Sequence, residues 1–117
     1  MLLNLDVILF IQMLEEFRIW YNRPMNITSG YRTAAFNKKV GGASNSYHRK
    51  ALAADFALPS AYYNYSKARK EAFLNNIKIK WYEICKKHGK TGSVIWYDSW
   101  IHLSWWPTWY FEDKRGK

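Results

Sequence analysis

Residues 93–105, SVIWYDSWIHLSW, predict two neighbouring β-strands that are joined by a sharp turn. Aromatic and β-branched side chains, which favour strands, make up seven of the eleven residues in 93–97 and 100–105. Asp98 and Ser99, both common turn residues, separate the two segments. The stretch therefore predicts a hairpin near the C-terminal end of the chain, with His102 in the middle of its second strand.

The remaining segments predict an α+β fold, a small antiparallel sheet with flanking helices. They are, in chain order, a helix that ends before Pro24, a strand over residues 26–31, a short helix over 33–40, a strand over 53–57 and a helix over 66–88 that Gly89 closes. The charged tail, residues 112–117, is expected to fray.

Length and composition limit the possible classes of protein. The 117 residues fit one compact domain over residues 1–117. The single cysteine, Cys85, excludes an internal disulfide and any zinc site built from several thiolates. The net charge of +9 favours an anionic partner, which charge alone leaves open among nucleic acid, an acidic membrane surface and a bacterial cell wall.

The apolar N-terminus does not resemble an export signal or a membrane anchor. Residues 1–14 lack a basic start, contain Asn4 and Asp6, and are too short to cross a bilayer. We therefore expect a chain that is made in the cytoplasm, with no signal peptide and no transmembrane segment.

Two histidines and one acid are candidates for a metal site. His48 and His102 could each offer an imidazole, and Asp55 lies between Ala54 and Phe56, where a carboxylate needs a partner. Two imidazoles and a carboxylate suit zinc because they leave a fourth position for water, whose pKa the metal lowers. Ordinary hydrogen-bonding roles would explain the same residues equally simply.

Several motifs, taken as a set, resemble the zinc D-Ala-D-Ala carboxypeptidase family, whose relatives include phage endolysin peptidases and the hedgehog-like fold. The matching residues are Ser29-Gly30-Tyr31-Arg32, Asn37, Val40-Gly41-Gly42-Ala43, Ser46-x-His48, Ala53-x-Asp55 and His102. The resemblance covers about residues 26–106 and implies a bare catalytic domain with a hedgehog/D-Ala-D-Ala peptidase-like fold.

The resemblance also implies roles for individual residues. His48, Asp55 and His102 would hold Zn²⁺, and Arg32 would reach the substrate carbonyl oxygen and stabilise the charge that develops there. Ser46 would line the same cleft and hold the substrate or the metal-site geometry through hydrogen bonds. His88, which precedes Gly89 at a helix end, is instead expected to have a structural role.

Two positions depart from the family pattern. Ala51 stands where the family usually has Gly, and we expect this small side chain to be tolerated. The family's general base is an Asp or Glu three residues before the last histidine, but Ser99 occupies that position here. We nominate Asp98, one residue earlier, as the catalytic base. The alternatives are that Asp98 only stabilises a turn and that Glu83 is the base.

Aromatic side chains are concentrated in residues 96–110. Because side chains alternate along a strand, about half of those on the strands should lie in the core. Trp105, Trp106 and Trp109 are our candidates for the edge of a substrate cleft, and core packing is the alternative for each.

The combined pattern predicts a monomeric zinc metallopeptidase that hydrolyses peptidoglycan stem peptides at the bacterial cell wall. It would be an endolysin-like endopeptidase or a D,D-carboxypeptidase, and a phage-type lytic enzyme released by another protein would need no export signal. The alternative is a non-catalytic module on the same fold that binds cell wall or protein. Nucleic acid is not an expected partner, because the basic residues are scattered and no binding motif is present.

Overall fold

The described part of the chain contains two α-helices, one 3-10 helix and five β-strands. The structure, a computed structural model, describes residues 5–29 and 52–116. The elements are helix α1 (Leu5–Tyr21), strands β1 (Ile27–Ser29) and β2 (Ala53–Ala57), a 3-10 helix (Ser60–Asn64), helix α2 (Lys67–Lys87), and strands β3 (Gly92–Trp96), β4 (Trp100–Trp105) and β5 (Tyr110–Asp113). The short helix expected over residues 33–40 lies outside these ranges.

The strands form a mostly antiparallel sheet in the order β1-β2-β4-β3-β5. The predicted hairpin is confirmed, because β3 and β4 are antiparallel and the backbone N–H of Tyr97 donates to the carbonyl oxygen of Trp100 at 2.9 Å across the Asp98-Ser99 turn. Asp55 on β2 lies directly opposite His102 on β4. The α+β prediction is therefore confirmed.

Strand β5 corrects the expectation of a frayed tail. It pairs in parallel with β3, so that Glu112 and Asp113 belong to the sheet. Pairing with a neighbouring strand satisfies backbone groups that would otherwise remain at the sheet edge. The Arg115 guanidinium then lies 2.7 Å from Asp113 and 2.8 Å from Glu71 on α2, which ties the end of β5 to the helix.

The two faces of the sheet differ in chemistry because side chains alternate along each strand. One face packs against α1 and α2. Its fully buried side chains include Phe56 from β2, Val94 from β3, Ile101 and Leu103 from β4, Phe10, Met13 and Phe17 from α1, and Leu74, Ile77 and Trp81 from α2. The opposite face, which we call the outer face, carries Asp55 and His102.

Helix α2 approaches the sheet closely at Gly92. The indole N–H of Trp81 donates to the carbonyl oxygen of Ser104 at 3.0 Å. A Cβ atom on Gly92 would lie 2.5 Å from that same oxygen and 2.9 Å from Cys85 Sγ. Burial also raises the pKa of the Cys85 thiol to about 12, so this cysteine is a core residue and not a nucleophile at neutral pH.

We expect Gly92→Ala to lower the free energy of unfolding by at least about 2–3 kcal/mol, because the added methyl group would collide with backbone that cannot yield cheaply. Urea denaturation followed by tryptophan fluorescence measures the change. Gly89→Ala is the matched control, since Gly89 has a φ of 73° but nothing within 4 Å of an added Cβ. That control should lose only about 1 kcal/mol through backbone strain. An equal loss for the two variants would contradict the close approach.

Candidate metal and substrate site

Asp55 and His102 form a pair on the outer face. They are 47 positions apart in sequence, yet the pairing of β2 with β4 places them side by side, with His102 Nδ1 2.7 Å from Asp55 Oδ1. Their side chains are partly buried, with exposed fractions of 18% for His102 and 16% for Asp55. The register of the sheet thus joins two of the three residues in the expected metal set.

The donor chemistry of this pair fits zinc. Two ligands at about 2.0–2.1 Å from a tetrahedral ion lie roughly 3.3 Å apart, so a small rotation of either side chain would admit the metal. Histidine nitrogens and carboxylate oxygens are both common protein ligands of zinc. A plain hydrogen bond between the two residues accounts for the same contact. Within residues 5–29 and 52–116, no group of three or more His, Cys, Asp or Glu is placed to hold a metal ion.

Three of the sequence-predicted site residues lie outside the described ranges. They are the metal ligand His48, the substrate-carbonyl residue Arg32 and the substrate-binding residue Ser46. Their roles stay predictions.

Asp98 occupies the turn between β3 and β4, four residues before His102. Its Oδ1 accepts a hydrogen bond from the backbone N–H of Gly116 at 3.0 Å. The structure therefore places this carboxylate at the end of the hairpin, and its role as a base stays a prediction.

Glu83, the alternative base, is not on the outer face. It lies on α2, which packs against the opposite side of the sheet, and its carboxylate is 3.9 Å from Lys80 Nζ on the same helix. His88 is the C-cap residue of α2, and its Nε2 lies 2.6 Å from Glu16 Oε2 on α1. The hydrogen bond from Lys87 contributes most to lowering the pKa of the Glu16 carboxyl, and the hydrogen bond from His88 lowers it further. His88 is thus part of the contact between the helices.

The structure corrects the assignment of Trp105 to the cleft edge. Trp105 is buried in the core, and its ring meets Phe10 of α1 edge-on at 5.7 Å between centroids. It is three residues from His102, so strand alternation turns it to the opposite face of the sheet. Trp109 also packs against the core. Trp106 is half-buried, and its ring lies 6.2 Å from that of Tyr110.

An aromatic pair on the outer face was not singled out by the sequence. Tyr97 and Trp100 lie opposite each other beside the hairpin turn, and their rings stack at 4.3 Å with an angle of 13°. Trp100 is two residues from His102 on the same strand, which places both on one face. Trp100 and His102 are two residues apart, and this spacing was the signal in the sequence that could have placed the aromatic pair beside His102.

Neither α1 nor α2 has the length and hydropathy that a membrane-spanning helix requires.

No curated protein and no solved structure gives a significant match to the chain. A family model described as Peptidase M15 matches residues 3–104, a range that contains both Asp55 and His102. The match covers most of the 117 residues, and the chain therefore belongs to the Peptidase M15 family.

Proposed function

We propose that this peptidase is zinc-dependent and hydrolyses the stem peptides of bacterial peptidoglycan. The observation that carries the proposal is the contact between Asp55 and His102 on the outer face of an M15 chain. His48 would complete the ligand set. When bound, zinc would act as a Lewis acid toward a peptide carbonyl and would increase the acidity of water.

The chain's own residues would position the peptide and move the proton. Arg32 is proposed to donate hydrogen bonds to the carbonyl oxygen as its negative charge develops, and Ser46 to hold the substrate backbone. Asp98 is proposed to accept the proton of the attacking water and to pass it to the leaving amine. This requires the Asp98 side chain to exchange its contact with Gly116 for one with the attacking water.

The remaining surface is compatible with a cell-wall substrate. The net charge of +9 attracts an anionic polymer over a long range. The stacked Tyr97–Trp100 pair and Trp106 offer ring faces for a peptide or a sugar. An endolysin-like endopeptidase and a D,D-carboxypeptidase would both use this site.

The proposal is tested by incubating the purified chain with peptidoglycan and measuring the release of free amino groups and of D-alanine. We expect release that a chelator stops and that added Zn²⁺ restores. New amino groups without D-alanine indicate an endopeptidase, and free D-alanine indicates a carboxypeptidase. Absence of both from a folded, zinc-loaded protein would contradict the proposal.

A non-catalytic module that binds cell wall is the second candidate. It is favoured by the position of Asp98, which bonds Gly116 at the hairpin end instead of meeting the Asp55–His102 pair. Sedimentation with insoluble peptidoglycan, measured alongside the release assay, separates the two functions. Retention on the pellet without any release would identify the binding module.

A further inference from the structure

Strand β5 adds chemistry to the outer face beyond the region that defines the family. The family match ends at residue 104, whereas β5 spans Tyr110–Asp113 and pairs with β3. Phe111 and Asp113 are directed toward α2, since Lys78 Nζ lies 5.3 Å from the Phe111 ring and Arg115 links Asp113 to Glu71. Alternation then directs Tyr110 and Glu112 to the outer face.

Glu112 lies in one row with the candidate metal pair. Asp55 is opposite His102, His102 is opposite Ile95, and Ile95 is opposite Glu112. Two strand spacings of about 4.8 Å each place Glu112 roughly 10 Å from His102 across the sheet. The partly buried Ile95 separates them, so the Glu112 carboxylate lies about three residues of extended peptide from the metal pair.

The contacts of Glu112 leave its charge available. Tyr110 Oη donates a hydrogen bond to Glu112 Oε1, which fixes the carboxylate. Most other acids of the chain pair with a cation, namely Asp6 with Lys90, Glu15 with Arg18, Glu16 with Lys87, Glu71 and Asp113 with Arg115, and Glu83 with Lys80. Among the described residues, no Lys or Arg forms an ion pair with Glu112.

The basic residue nearest to Glu112 along the chain contacts an aromatic ring. Lys114 follows Glu112 by two positions, but its Nζ lies over the Tyr97 ring at 5.8 Å from the centroid. The Tyr97–Trp100 pair lies on one side of the row that contains Ile95, and on the other side Tyr110 lies opposite the buried Ser93. A peptide that lies along this row would have Ile95 beneath it, an aromatic residue on each side and the Glu112 carboxylate at one end.

We propose that Glu112, oriented by Tyr110, is a specificity residue that binds a positively charged amino group of the peptide substrate. The inference rests on the proposed peptidase function for the location of the scissile bond. The substrate class is a peptide with a free primary amine on the side chain next to that bond. The charge-assisted hydrogen bond favours this amine over its acylated form.

The experiment compares two N-terminally acetylated stem peptides, one with a free lysine side chain and one with Nε-acetyl-lysine. Calorimetric titration of the zinc-free chain measures each Kd without turnover. We expect the free-amine peptide to bind about tenfold more tightly, the effect of one charge-assisted hydrogen bond. This ratio should fall as ionic strength rises.

Glu112→Gln should bring the ratio of Kd values close to one and leave the Kd of the acetylated peptide unchanged. Tyr110→Phe should reduce the ratio by a smaller factor. Glu15→Gln is the matched control, because Glu15 is exposed on α1, behind the sheet, and should keep the ratio. Equal binding of both peptides by the unaltered chain, no binding of either, or an unchanged ratio in Glu112→Gln would overturn the inference. If the ratio is found but peptidoglycan is not cleaved, the amine site stands and the peptidase proposal falls.

Discussion

Asp55→Ala is expected to remove bound zinc and peptidase activity together. The carboxylate is one of the three proposed ligands, and the two that remain would leave the ion weakly held. We expect zinc affinity to fall by more than about 100-fold, since altering even a residue that only supports a ligand costs 10–100-fold. Elemental analysis of the purified protein and the peptidoglycan assay measure the two losses.

Two further variants separate metal binding from folding. Asp55→Asn keeps the size of the side chain and a hydrogen-bond acceptor for His102, but an amide is a poor zinc ligand, so zinc should again be lost while the fold is retained. Asp6→Ala is the control, because Asp6 lies on α1 and its carboxylate is 3.8 Å from Lys90 Nζ. A full complement of zinc in Asp55→Ala would show that Asp55 only bonds His102.

Asp98→Asn should retain zinc and lose most of its turnover. The amide cannot accept the proton of the attacking water, and removal of a general base lowers kcat by about 100-fold or more. The amide oxygen can still accept the hydrogen bond from the Gly116 N–H, so the hairpin turn should be preserved. Steady-state kinetics together with zinc content tests this expectation.

The outcome for Asp98→Asn also bears on the two candidate functions. Asp113→Asn is a suitable comparison, since Asp113 lies on the helix-facing side of β5 and its role is to bind Arg115. Full activity of Asp98→Asn would show that Asp98 is a turn residue and that another group accepts the proton. If the unaltered chain also fails to release amino groups, the binding module becomes the better description.

Local patterns in the sequence determined the elements that need no distant partner. The Asp98-Ser99 turn between two aromatic strands predicted the hairpin, and the position of Gly89 predicted the end of α2. Turn chemistry and side-chain periodicity act over a few residues, so they are visible without the fold. The apolar setting of Asp55 likewise marked this acid as one that needs a partner.

The tertiary structure decided which side chains meet. The 47 positions between Asp55 and His102 are bridged by the register of β2 against β4, which no local pattern encodes. The sequence could not tell whether Trp105 or Trp106 faces the core. Alternation places the two side chains on opposite faces of the sheet, but the face that is buried depends on where the helices pack. The tertiary structure also decided that part of the charged tail forms β5, because its parallel pairing depends on the edge that β3 provides.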